Sequence, residues 1–86
     1  MKFQGALVKE QGVKFAIVVV KQHVLQSPTQ REAARRGFSS AFPGVPVVLM
    51  AQDSRGTPTY SGRPDLVRFL AKIPMQAIPW KEYRAA

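Results

Sequence analysis

The chain has 86 residues, with thirteen lysines and arginines against five carboxylates, one histidine and no cysteine, for a formal net charge of +8. A length of this order makes one domain, spanning residues 1–86, and a hydrophobic content of 45% is too high for a disordered tail. The missing cysteine excludes a disulfide framework, a thiolate zinc site and thiol redox chemistry.

Glycine and proline divide the chain into short elements. Phe3–Lys9 reads as a strand, Gln11-Gly12 as a turn and Val13–Val20 as a second strand, together a hairpin. Phe15, Ile17 and Val19 point to one side and Ala16, Val18 and Val20 to the other. Both sides are apolar, as in a central strand covered on both faces. Lys21–Gln26 either extends that strand or leaves it.

Ser27-Pro28-Thr29-Gln30 is the clearest local signal. Ser27 suits an N-cap, Pro28 the first helical position and Gln30 the third position of a capping box. The helix is predicted to run to about Ala41 and to stop before Pro43-Gly44. Ala34, Phe38, Ala41 and Phe42 form its apolar stripe, and Arg31, Arg35 and Arg36 are expected to face away from it.

Val45–Ala51 is a further apolar strand. Asp53-Ser54-Arg55-Gly56 is a turn, and Thr57–Ser61 returns as a short strand that Pro58 confines to a sheet edge. Pro64 opens a second helix with Leu66, Val67, Phe69, Leu70 and Ile73 inward and Asp65, Arg68 and Lys72 outward, and Pro74 ends it. The tail, residues 74–86, is predicted to pack back on the domain as an extended segment with a helical turn after Pro79.

The order is ββαββα. A helical crossover favours parallel pairing of strands two and three, and each hairpin adds an antiparallel strand outside. The expected fold is α+β, a four-stranded mixed sheet in the order 1-2-3-4 packed with two helices. If both helices share one face, the other needs the tail or a partner to cover it. The segment Val45–Met50, the Asp53–Gly56 turn and Tyr60, with Gly62–Leu70, resemble the second half of a thioredoxin-like domain. That resemblance implies the architecture without the redox activity, because the Cys-x-x-Cys pair of thioredoxins has no counterpart here.

Few constellations suit catalysis. A nucleophile–base pair would need His23 beside Ser27, Ser39, Ser40, Ser54 or Ser61, and none of these serines sits in a Gly-x-Ser-x-Gly elbow. Glu10, Glu32, Asp53, Asp65 and Glu82 fall in different elements without metal-ligand spacing, so no catalytic residue, metal or cofactor is assigned. The binding signals are basic and aromatic. Arg31, Arg35 and Arg36 on a helix face suit phosphate contacts. Arg63, before a helix start, and Arg55 suit an anion. Trp80 and Tyr83 suit either a partner or the capping of the chain's own core. Lys9, Lys14 and Lys21 along the first hairpin suit protection of an edge strand.

The basic residues are scattered from Lys2 to Arg84, and no basic arm forms. The longest apolar run, Phe15–Val20, is far short of the roughly 20 residues of a membrane span, and Met1–Gly5 lacks a following apolar stretch. The expectation is a bacterial-type cytoplasmic protein with no membrane contact. It acts as a non-catalytic interaction module for a protein partner or as a homodimer. The alternatives are non-specific association with nucleic acid through the basic helix, and an enzyme or ligand carrier with a pocket the sequence does not reveal.

Overall fold

A computed structural model describes residues 2–10 and 12–84. Strands β1 (Lys2–Glu10) and β2 (Val13–Val19) form the first hairpin. Gly12 turns it at φ 81°, and Gln11, the other residue of the expected turn, lies outside the described residues. The chain then leaves the sheet. Lys21–Gln26, left open between strand and exit, forms a short helix α1 (Gln22–Gln26). Helix α2 (Pro28–Ser39) follows at once, with Ser27 as its N-cap: the Ser27 hydroxyl accepts from the Gln30 amide at 3.3 Å. The helix ends two residues before the expected Ala41.

Strand β3 (Val47–Gln52) returns parallel to β2, with Val18 opposite Leu49. The Asp53 carboxylate accepts from the Arg55 and Thr57 amides, both at 2.9 Å, and so closes the turn into β4 (Pro58–Ser61). Helix α3 (Pro64–Leu70) is followed by a single 3-10 turn (Met75–Ala77) and by β5 (Lys81–Arg84).

The fold is α+β with a mixed sheet and three helices, and two expectations are corrected. The sheet has five strands in the order β4-β3-β2-β1-β5, not four in the order 1-2-3-4. The tail supplies the extra strand, since Lys81–Arg84 alternates side chains as a strand does and pairs antiparallel with Lys2–Gly5. The helical turn lies before Pro79 rather than after it, with Ala77 donating to the Pro74 carbonyl at 2.9 Å.

The helices cover both faces. Phe3, Ala16, Val18, Val47, Leu49 and Ala51 pack beneath α1 and α2 with Leu25, Phe38 and Phe42. Ala6, Phe15, Ile17, Val48 and Met50 pack on the opposite face against Leu66, Leu70, Ile78 and Trp80. The alternation along β2 therefore feeds two separate cores, and Phe15, Ala16, Ile17 and Val18 are all fully buried. The strand, hairpin and closing helix over residues 45–70 also form as the sequence suggests.

Candidate functional site

The backbone direction along β2 decides which groups of the sheet remain open. The Ala16 amide donates to the Pro46 carbonyl at 2.9 Å and the Val20 amide to the Met50 carbonyl at 2.8 Å. Even-numbered residues of β2 thus bond toward β3, and odd-numbered residues toward β1. Across the antiparallel register, Ala6 opposes Ile17 and Val8 opposes Phe15. The even-numbered residues of β1 therefore bond to β2, and Phe3, Gly5, Leu7 and Lys9 aim their backbone groups outward.

Strand β5 meets only the first half of that outer edge, from Lys2 opposite Arg84 to Gly5 opposite Lys81. Trp80 then carries the chain off the edge to the α3 side, where its indole N–H donates to the Met75 carbonyl at 2.9 Å. From Ala6 to Glu10 the outer edge of β1 has no strand partner among the described residues. Leu7 lies in this stretch and is the one exposed large hydrophobic side chain among the described residues.

Side-chain alternation sorts the charges by face. Phe3 lies under α2, so Gly5, Leu7 and Lys9 share that side. Lys14 pairs with Lys9 and lies on the side of Ala16 and Val18. Lys81 shares the side of Tyr83, with its ammonium 5.2 Å from the Tyr83 ring centroid. Three lysines thus surround Leu7 on the α2 side of the open edge. Of the carboxylates, Glu10, Glu82 and Asp65 lie on the α3 side, Asp53 closes a turn and Glu32 alone stands on α2.

The residues singled out in the sequence do not converge on one place. Arg36 is exposed on α2, as expected. Arg31 is partly buried and donates to the Leu25 carbonyl at 3.1 Å, which ties α2 to α1. Arg35 does not face away: it donates to Glu32 at 3.1 Å and to the Ser61 hydroxyl at 3.0 Å, and its Nε is buried without a partner. The reason is that the Ser61 hydroxyl of β4 lies within reach of its guanidinium, so Arg35 is only partly exposed. Arg55 and Arg63 lie beyond opposite ends of β4 and form no joint anion site. Arg63 is engaged in a two-pronged contact with Asp65, at 2.8 and 2.6 Å. The Arg63 guanidinium, by hydrogen bonding first of all, holds the Asp65 carboxyl down at about 2.

Tyr83 and Trp80 serve opposite cores. The Tyr83 ring stacks on Phe3 at 5.6 Å and meets Phe42 edge-on at 5.2 Å. Trp80 packs with the α3-side core. His23 is exposed on α1, and no group of three or more His, Asp or Glu side chains gathers among the described residues.

The surface also carries two shallow clefts. One, of about 280 Å³, lies between the first hairpin and α3 and is lined by Glu10, Val13, Asp65, Arg68, Phe69 and Lys72 with Leu66. The other, of about 190 Å³, lies at the carboxyl ends of β2 and β3 among Gln4, Val19, Met50, Gln52, Met75 and Trp80. Their described linings include neither His23 nor a serine. Among the described residues no helix is long and apolar enough to cross a membrane.

The sequence places the whole of the first strand at a sheet edge; that β5 covers its first half and leaves the second half open was missed, because it depends on where the tail strand stops. The cue lay in Ile78-Pro79, since a proline two residues before Lys81 cannot extend the ladder with its own amide. Compared with protein-family models, curated proteins and solved structures, the chain finds no match.

Proposed function

We propose that this protein is a binding module that takes an extended segment of a protein partner as an added strand along Ala6–Glu10 of β1. The half-covered outer edge of β1 is the observation that carries the reading. Such an edge offers outward amides and carbonyls at Leu7 and Lys9, with one exposed apolar side chain between flanking charges. Strand addition draws affinity from main-chain bonds of this kind and specificity from alternate side chains. The opposite edge, β4, is four residues long and begins with Pro58, which blunts it for the same purpose. A second copy of the chain is the less favoured occupant, because each copy carries a net charge of +8.

The test is selection of binders from a displayed library of linear peptides, followed by amide chemical-shift mapping. Selected peptides are expected to perturb Leu7 and Lys9 and to lose affinity to Lys9→Pro, which removes an outward amide. Binders that perturb other regions alone and ignore Lys9→Pro would overturn the reading.

A second reading rests on the segregation of charge. The α2 side holds Lys9, Lys14, Lys81 and Arg36 with Glu32 as its one carboxylate, a surface that suits a nucleic-acid backbone. It predicts a low-salt mobility shift with nucleic acid that Arg36→Ala weakens. No shift at low salt removes it.

A further inference from the structure

Resting on the strand-addition reading, the geometry points to the class of partner: an extended segment with carboxylates at alternate positions, seated on β1 with those carboxylates turned to the α2 side.

Lys9 and Lys14 are directly opposed across the hairpin and share one face. Like charges in that position disfavour the pairing, so this face of the hairpin is less stable than a neutral one. Lys81 adds a third cation on the same side, where β5 ends against Gly5. Neither Lys9, Lys14 nor Lys81 has an ion-pair partner among the described residues, whereas Lys2 on the other face lies 3.9 Å from Glu82. A strand lying along Leu7 and Lys9 turns every second side chain to this side. Carboxylates there meet Lys9 with Lys14 at one end and Lys81 at the other. The intervening side chains fall on the α3 side, beside Ala6 and Val8, where apolar residues fit.

Edge protection alone would explain one lysine on β1. It does not explain Lys14, which sits on the paired strand β2, nor the grouping of all three on one side of the sheet.

The test uses three labelled probes and the full chain: a short peptide alternating glutamate and valine, its twin with glutamine for glutamate, and an oligothymidylate. Affinity is read by fluorescence anisotropy and location by amide shifts. The glutamate peptide is expected to bind about tenfold tighter than its twin, a difference of about 1.4 kcal/mol. It should perturb the Leu7 and Lys9 amides, and its advantage should vanish in the Lys9→Gln, Lys14→Gln double variant, whose exposed substitutions leave the fold readable by the same spectrum. Equal binding of both peptides at those amides would overturn the acidic preference and leave strand addition standing. Failure of both peptides to perturb those amides would overturn strand addition and this inference together. An oligothymidylate that binds more tightly than the glutamate peptide would overturn it in favour of a nucleic-acid partner.

Discussion

The Arg35 guanidinium donates to the Ser61 hydroxyl at 3.0 Å and so ties α2 to the edge strand β4 across 26 positions of sequence. This contact makes Arg35 part of the scaffold. Ser61→Ala is predicted to lower stability by about 1 kcal/mol, below the range of about 1.5–3 kcal/mol for a bond to a charged group because Arg35 is partly exposed. Arg36→Ala, on the exposed face, should stay within about 0.5 kcal/mol of the parent. Urea denaturation of the two variants checks the contrast. It also decides how nucleic-acid binding by arginine variants is read, because a loss in Arg35→Ala mixes unfolding with lost contacts.

Gly5 is fixed by the approach of the neighbouring strand. A Cβ there would lie 2.7 Å from the Ile17 carbonyl oxygen and 3.5 Å from the Tyr83 ring. The oxygen belongs to the backbone of the central strand and cannot swing aside. Gly5→Ala is predicted to destabilise by about 1–3 kcal/mol, the usual range for overpacking a filled site. Thermal unfolding with near-parent stability would show that β1 and β2 separate more easily than this spacing implies.

These two sites show what the sequence made legible. Elements were readable where local chemistry dominates: the Ser27-Pro28 cap, the Asp53–Gly56 turn and the two-sided apolar alternation of Val13–Val19. The two faces of β2 were assigned correctly because alternation is a property of one strand. Which helix covers which face, and where Lys81–Arg84 goes, depend on contacts between segments far apart in the chain. A four-residue polar strand such as Lys-Glu-Tyr-Arg has too little pattern to announce itself, and only its pairing with Lys2–Gly5 defines it. The arginines were readable as charges but not as partners: Arg35 and Arg63 are engaged by Ser61 and Asp65 through folding.

Asp65 provides a pH signature. Its carboxyl is held at about 2, below the ordinary 3.8, chiefly by hydrogen bonding from Arg63. A carboxyl depressed in the folded state releases its proton more readily there than in the unfolded chain, so its contribution to stability is present above the unfolded value. That contribution is lost as pH falls from near 4 toward 2. Asp65→Asn is predicted to flatten this part of the stability profile, measured as the urea midpoint against pH. An unchanged acid slope would assign the loss to other carboxylates.

The open edge makes a prediction that needs no ligand. Phe3 and Gly5 face β5, opposite Tyr83 and Lys81, whereas Leu7 and Lys9 share the same outward direction with no strand beyond them among the described residues. Amide exchange in the free protein should therefore split along a single strand. Phe3 and Gly5 are expected to be protected, Ala6 and Val8 protected through β2, and Leu7 and Lys9 to exchange at rates near those of open loops. The alternation matters more than any one rate, because fraying of the whole hairpin end would expose Val8 together with its neighbours. Slow exchange at both Leu7 and Lys9 in dilute protein would mean that something already occupies the edge. Concentration dependence of that protection would identify a second copy of the chain as the occupant.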